Sequence, residues 1–489
     1  MKLLQYSIII IGLISLGGCK KYLAEEPKKQ TSIQNVAQLE ALVDNAMAFS
    51  YETNITAAYS TDDTELSKEL YQKNPGAFTI DNLQYYIFSV DGVANAAADA
   101  LWNGEFKKIF TANLILTNVD KVTGDQATKD RVKADAYFIR AYSNWVLVNH
   151  YCAPYSAANL GSMGLPLKKT IDYEESLKRA TLKETYDFIL SDIAEAQKVS
   201  YDDVDPLRTW RVSQKAISAF LSRFYLFTGD YVKSLSEANK ALATTTAKLV
   251  NYNTLLPGIS SSYANPSVTL NYIELNNWAA SKFLYWSENF YTRYAYTGSQ
   301  WFAPSTSLLA LYDTQNDLRY KDFMIQNGGR RFSVVTPAAF RYTMFNDGRY
   351  IPEGFTVAEV LLNKAEVLAR NGDFGGAMDV VNLIRMKRMV TGQYVALAAT
   401  SKDDGIKKVL QERRREMPFA MRWYDIRRFS VNDYPADDIT VIRDFFNVSI
   451  TGVDVNSTKT YTLEAKRYLV PINGVEMDAS KGQIVQNPY

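Results

Sequence analysis

Residues Val357–Arg388, VAEVLLNKAEVLARNGDFGGAMDVVNLIRMKR, constrain the fold more than any other stretch of the chain. Val357, Leu361, Ala365 and Leu368 recur at helical spacing and mark one apolar face. Asn371-Gly372 stops that helix, because glycine accepts the left-handed conformation that a helix end requires. Asp373 then caps a second helix, in which Ala377, Val381 and Ile384 share a face. The product is an antiparallel helical hairpin with small residues where its two helices must approach closely. Ala216–Leu242 repeats the arrangement, turning at Gly229-Asp230-Tyr231 where the later hairpin turns at Gly372-Asp373-Phe374.

Two such units predict tetratricopeptide-like packing, in which stacked helix pairs bury one another's faces. Further helices are expected over Val36–Phe49, Ala100–Asn118, Asp130–His150 and Thr181–Val199, the last capped by Thr181. Ala134, Phe138, Ala141 and Trp145 form a buried seam on the third of these. A short helix is expected from Ser307 to Asp313, and another over Ile406–Arg415 leads into Met417–Phe429. Arg331–Tyr350 has room for a hairpin, and Tyr461–Tyr489 reads as extended and irregular. Helix pairs define a scaffold and leave function open.

Formal charge is +1, and removing Met1–Gly18 with its single Lys2 leaves 53 basic against 53 acidic residues. A neutral balance supplies no electrostatic reason for a nucleic-acid or anionic-membrane partner. The chain holds 33 Tyr, 7 Trp and 23 Phe, and tyrosine joins a flat apolar face to a hydroxyl, which suits wet, polar ligands. Aromatics in helix–helix seams account for most of these rings.

The N-terminus reads as an address. Lys2 precedes an apolar run over Ser7–Leu16, which is far shorter than the ~20 residues that span a bilayer. This is the pattern of a secretory signal over 1–18 that is removed from the mature chain. Leu16-Gly17-Gly18-Cys19 resembles a bacterial lipobox, which makes Cys19 the lipidated first residue, carrying palmitate-type acyl chains. Residues 19–30 would then be a polar tether, and 31–489 one domain. Cys152 is the other cysteine, so no internal disulfide forms once Cys19 is acylated.

Two segments lack sustained helical period. Residues 51–99 carry Tyr59, Tyr71, Phe78, Tyr85, Tyr86 and Phe88 among Asn, Asp and Gly. Residues 251–305 are the densest aromatic region of the chain. Long irregular stretches inside a compact domain more often form binding surface than filler. The expected ligand contacts are Trp278, Tyr285, Trp286, Tyr291, Tyr294, Tyr296 and Trp301 as stacking rings, with Asn289 and Arg293 as polar partners. Tyr85 and Tyr86 join them from the first segment, whereas Trp102 reads as core. Core packing is the competing reading for each of these aromatics.

Several chemistries lack residues. His150 is the sole histidine and stands two positions from Cys152, too close to suggest a converging catalytic pair. Zinc sites draw on His and Cys clusters, which this chain does not have. No phosphate-binding glycine motif is present, and no cofactor is implied. A glycosidase needs only two carboxylates across a cleft, but no pair stands out. Glu412 and Glu416 lie among arginines in ERRREMPFAMRWYDIRR, Glu412–Arg428, which reads as an internally neutralised buttress.

Taken together, Leu16–Cys19 with Tyr22-Leu23 and Pro27, Ala134–Tyr142, Tyr186–Ala196, Leu361–Arg388, Glu412–Arg428 and Tyr468–Tyr489 resemble the SusD/RagB family of Bacteroidota outer-membrane lipoproteins. Ala420-Met421 departs from the acidic-Gly pair that the family often carries, and the end lacks its usual glycine before the final aromatic. The resemblance implies a mostly α domain with about four tetratricopeptide-like pairs supporting a loop-rich ligand-binding portion. It also implies a non-catalytic lipoprotein on the outer face of the outer membrane. Such a protein would capture a glycan and pass it to a SusC-like TonB-dependent transporter. Peptide capture by the same fold is the alternative, and a pure protein-interaction scaffold a more distant one.

Overall fold

The computed structural model describes residues 33–53, 56–96, 99–255, 284–296, 303–326, 340–342, 344 and 350–489. The expected signal, Cys19 and the tether lie outside these residues. The long helices are α1 (Val36–Val43), α2 (Ala100–Asn118), α3 (Gln126–Tyr151), α4 (Leu182–Ala196), α5 (Gln214–Phe227) and α6 (Tyr231–Leu242). They continue with α7 (Val357–Arg370), α8 (Phe374–Arg388), α9 (Lys402–Glu416), α10 (Ala420–Phe429) and the short α11 (Gly474–Ala479).

Helices α1 to α9 all begin on a side chain that accepts from an amide of the first turn: Asn35, Asp99, Asp125, Thr181, Ser213, Asp230, Thr356, Asp373 and Ser401. Each cap satisfies a donor that the helix itself cannot, a contribution of ~1 kcal/mol. Helix α3 therefore starts before the expected Asp130, because Asp125 caps it. The span Val36–Phe49 is two pieces, since α1 ends at Asp44 and a single turn resumes over Ala46–Phe49. At both hairpin turns the glycine has positive φ, 80° at Gly229 and 92° at Gly372, as the turn chemistry requires.

Consecutive helices pack as antiparallel pairs: α2 with α3, α3 with α4, α5 with α6 and α7 with α8. α7 also packs on α6 and α9, so the pairs stack into one tetratricopeptide-like array. Trp145 of α3 lies at the array's centre, 1% exposed, with the rings of Tyr186, Phe220, Phe224 and Phe227 within 6.2 Å. A second cluster seats Val36, Leu39 and Val43 of α1 on Ala112, Ile115 and Ile139.

The strands are short: β1 (Tyr51–Thr53), β2 (Met163–Pro166), β3 (Arg179–Thr181), β4 (Asn289–Tyr291), β5 (Tyr294–Tyr296) and β6 (Met324–Gln326). They continue with β7 (Phe340–Tyr342), β8 (Tyr350–Pro352), β9 (Phe355–Thr356), β10 (Ile442–Val448) and β11 (Val453–Thr462). β6 and β7 pair antiparallel, so the hairpin expected within Arg331–Tyr350 begins earlier in the chain. The C-terminal stretch is less extended than expected, since it contains α11.

Buried ion pairs cross the helical array. Arg223 of α5 binds both carboxylate oxygens of Glu359 on α7, at 2.6 and 2.7 Å. Glu366 of α7 accepts from Arg428 Nη1 and Nη2, at 2.6 and 2.7 Å, and from Arg370 at 2.8 Å. Burial opposes the Glu366 charge, but Arg428 and then Arg370 outweigh it and hold the carboxyl well below its ordinary 4.5. A depressed carboxyl stabilises the fold above the unfolded-state value and loses that contribution as pH falls. Glu366→Gln should therefore destabilise the protein at pH 7 by a few kcal/mol, ~3–5 being usual when one partner of a buried pair is removed. In urea titrations the gap to wild type should shrink as pH falls below about 4.5, and a gap independent of pH would contradict the assignment.

Candidate ligand-binding surface

The two irregular segments meet. β1 runs parallel to β5 with Tyr51 opposite Tyr294, and β8 covers the other edge of β5 antiparallel. Further along, Glu65 N–H donates to the Ala303 carbonyl at 3.0 Å and Ser305 N–H to the Asp63 carbonyl at 2.7 Å. Ser305 Oγ donates to the Asp62 carbonyl at 2.6 Å, and Thr306 N–H to Glu65 Oε2 at 2.7 Å.

Arginines of α9 and α10 anchor this junction. Arg422 binds Asp62 through both donors at 2.7 and 2.9 Å, while Arg414 Nε reaches Asp63 at 2.5 Å. Burial works against the Asp62 charge, and Arg422 overcomes it, so this carboxyl sits below its ordinary value. Beside the junction opens a polar groove of ≈ 650 Å³ lined by Glu65, Lys68, Tyr86, Thr306, Arg443 and Asp444 among others. Its charges are engaged: Lys68 pairs with Asp444 at 2.8 Å. Arg443 donates at 2.7 Å to the carbonyls of Tyr59, Thr61 and Thr64 and lies 3.9 Å above the Tyr86 ring.

The expected contacts separate into inner and outer residues. Trp286, Asn289, Tyr291, Arg293 and Tyr294 are all buried, between 1 and 8% exposed. Tyr291 packs its ring on Phe138 of α3 at 4.7 Å. Arg293 binds Glu105 of α2 through both oxygens at 2.9 Å and donates to the Phe49 carbonyl at 2.8 Å. Asn289 donates to Thr292 Oγ1 at 3.0 Å and to the Tyr294 hydroxyl at 3.3 Å. Trp286 meets Tyr252 at 6.3 Å, and Tyr294 meets Tyr350 at 6.4 Å. These five side chains bind the irregular segment to the scaffold, and protein groups occupy the faces that a ligand would need.

Tyr86 is likewise buried, 5.4 Å from the Phe445 ring, with its hydroxyl accepting from Leu66 N–H at 2.9 Å. Tyr85 is half-buried at the rim of a small cleft of ≈ 30 Å³. Tyr296 closes β5, and Trp278 and Trp301 lie outside the described residues. Among the candidates whose exposure is described, Tyr285 alone is exposed, at 47%.

Tyr285 has a neighbour that the sequence did not single out. Trp210 stands 6.4 Å from it at an interplanar angle of 66°. The loop between α4 and α5 carries Trp210 there because Thr209 Oγ1 donates to the Leu284 carbonyl at 2.5 Å and Thr292 N–H donates to the Thr209 carbonyl at 2.9 Å. Trp210 Nε1 donates to Asp44 at 3.2 Å, which fixes its ring. No local pattern marks that loop, since the pairing is long-range. The nucleophile chemistry has a simple status: His150 and Cys152 are both buried, burial pushing the imidazole down to about 4 and the thiol up to about 11. No group of three or more His, Cys, Asp or Glu able to hold a metal occurs among the described residues, and no helix there is long and apolar enough to cross a membrane.

A family profile described as starch-binding and associating with the outer membrane matches residues 21–226, and one described as the SusD family matches 353–489. No curated protein matches the sequence. Among solved structures, a SusD superfamily protein of Bacteroides thetaiotaomicron aligns over 93% of this chain and 100% of its own, at 18% identity and TM-score 0.63. A SusD-like carbohydrate-binding protein of Bacteroides vulgatus aligns over 92% and 97%, at 17% identity and TM-score 0.60. A laminarin-binding SusD-like protein aligns over 93% and 100%, at 16% identity and TM-score 0.60. The chain belongs to the SusD/RagB family, and its fold is the SusD-like helical fold.

The inner and outer rings should behave differently on truncation. Tyr291→Ala or Trp286→Ala should cost about 3–5 kcal/mol of stability by emptying the core. Tyr285→Ala should stay within about 0.5 kcal/mol, as surface substitutions do. Denaturant midpoints measure both, and a large loss for Tyr285→Ala would contradict its placement outside the core.

Proposed function

We propose that this chain captures glycans at the cell surface without cleaving them and delivers them to a SusC-like TonB-dependent transporter. The observation that carries the reading is membership of a family whose profile is described as starch-binding and outer-membrane-associated. The exposed Tyr285 beside Trp210 supports it chemically. A sugar ring has an apolar C–H face and a polar edge, and flat aromatics with a held orientation suit the first. Capture without cleavage needs no nucleophile or metal. The lipobox-like Leu16–Cys19 supports anchoring through an acylated Cys19, which keeps the domain 31–489 at the membrane surface.

The capture surface is assigned to the face formed by Tyr285 and Trp210, with Trp278, Tyr296 and Trp301 as further candidates from the sequence. Trp286, Asn289, Tyr291, Arg293 and Tyr294 anchor the strand segment that follows Tyr285 to the scaffold, whereas Tyr85 and Tyr86 line other clefts.

The test is titration of soluble Lys20–Tyr489 with a panel of neutral oligosaccharides, alongside Tyr285→Ala/Trp210→Ala. The expected result is binding in the wild type and, in the variant, at least a tenfold loss of affinity at the Tyr285–Trp210 face, about 1.4 kcal/mol, with helicity unchanged. Binding of peptides and of no glycan would replace the reading with peptide capture. Sugar release from the panel would contradict the absence of catalysis.

A further inference from the structure

A second cleft, of ≈ 240 Å³, lies where α2, the loop joining β2 to β3 and the segment around α11 come together. None of its lining residues belongs to the irregular segments or to the Tyr285–Trp210 face. Trp102, Phe106 and Phe110 follow one another at steps of four on α2, which puts their rings on one stripe of the helix. Trp102 is the floor, 4% exposed, packed by Phe106 at 4.8 Å and edge-on by Tyr151 at 5.0 Å. Asp99 fixes the start of this stripe: its carboxylate caps Trp102 N–H at 3.0 Å and accepts the Tyr151 hydroxyl at 2.7 Å.

The opposite wall is held just as firmly. The Glu175 carboxylate accepts from Lys169 N–H at 3.0 Å, from Thr170 N–H at 3.1 Å and from Thr170 Oγ1 at 3.0 Å. Asn113 of α2 donates to the carbonyls of Lys168 and Thr170 at 3.2 and 2.9 Å, and Leu177 N–H donates to Gln483 at 2.9 Å. This ordered loop presents Tyr173 at 84% exposure, its ring nearly parallel to that of Phe110, 5.5 Å away at 26°. Burial cannot be what holds so exposed a ring over a cleft.

The rim divides into engaged and open groups. Asn113, Thr170 and Lys168 are committed to the loop itself. The side chains of Asn103 and Glu476 form no hydrogen bond among the described residues, and the Asp172 carboxylate accepts only from Glu174 N–H at 2.9 Å. An aromatic floor edged by two carboxylates and an amide fits a ring with an apolar face and hydroxyl donors around its edge. A purely apolar ligand would desolvate those carboxylates without giving them a donor, and an anionic one would meet them with like charge.

We propose that this cleft is a second glycan subsite. It takes one pyranose unit of a neutral oligosaccharide against Phe110 and Tyr173, with Asp172, Glu476 and Asn103 receiving its hydroxyls. The proposal rests on the glycan reading above, and one experiment separates the two. Wild type, Tyr173→Ala and Tyr285→Ala/Trp210→Ala are titrated calorimetrically with laminarihexaose, cellohexaose and maltohexaose, and with a panel of unmodified peptides. Tyr173 is exposed, so its truncation leaves the fold intact, as circular dichroism will verify. The expected result is that Tyr173→Ala lowers the number of hexasaccharides bound from two to one and leaves the remaining site's affinity unchanged. Unaltered stoichiometry and affinity in Tyr173→Ala, with binding lost in Tyr285→Ala/Trp210→Ala, would remove the subsite and keep the capture function. No hexasaccharide bound by wild type would overturn both, and peptide binding that Tyr173→Ala abolishes would overturn the sugar assignment of the cleft.

Discussion

Glu412 and Glu416, one turn apart on α9, belong to one of several groups of buried ion pairs along α9 and α10 on which the placement of the irregular segments depends. Arg319 reaches both carboxylates at 2.8 Å. Arg388 of α8 joins Glu416 at 2.6 Å to Glu288 at 2.8 Å, immediately before β4. On the other side of α9, Arg413 meets Asp425 at 3.0 Å, while Arg414 and Arg422 hold Asp63 and Asp62. Removing such charges from water costs several kcal/mol each, so each must be matched by a partner of the opposite sign. This matching fixes register: a shifted loop would leave a buried charge alone. The helices thus define positions for residues 62–63 and 288 that hydrophobic burial, being non-directional, would leave loose.

The same arrangement gives particular arginines and tyrosines their roles. Arginine is the residue that can bridge two carboxylates in the interior, because its planar fork offers several fixed donors and stays charged. Arg319, Arg388, Arg413 and Arg428 each serve more than one partner. Tyrosine plays the matching part among the aromatics, with rings in the core and hydroxyls on nearby polar groups, as Tyr142 on the Glu353 carbonyl and Tyr312 on the Arg415 carbonyl. Phe419 adopts φ 70° at the start of α10, where its N–H donates to Asp63 at 2.8 Å. Positive φ at a bulky residue carries a cost of about 1–3 kcal/mol, which the surrounding contacts must outweigh.

Much of the scaffold was legible in the sequence because its signals are local. Turn glycines followed by aspartate caps delimit both hairpins, whereas the interleaved charges of Glu412–Arg428 pair only in part within the block, Arg415 with Glu412 and Arg413 and Arg428 with Asp425, and otherwise with Asp62, Asp63, Arg319, Glu366 and Arg388 outside it. The irregular segments were legible as a pair but not in depth. The residues that bury Tyr291 and Arg293, Phe138 and Glu105, lie on α3 and α2, far away in the sequence. A ring that stacks on sugar and one that packs on phenylalanine carry the same letter, and without periodicity nothing local distinguishes them. Trp210 and Tyr173 carry no local signal for the converse reason, since each takes its place through loops pinned by long-range hydrogen bonds. The β10–β11 hairpin had a usable signal, as Ile442–Val448 largely alternates exposed and buried positions.

Hydrogen exchange offers the most direct test of the claim that buried arginines hold the irregular segments on the helical scaffold. Amide protection of residues 56–66 and 303–309 would be compared between wild type and Arg414→Ala/Arg422→Ala, with α2 and α3 as internal reference. The account predicts protection lost selectively at the junction while the two helices keep theirs. Unchanged protection there would mean that the loops hold themselves, and would contradict it.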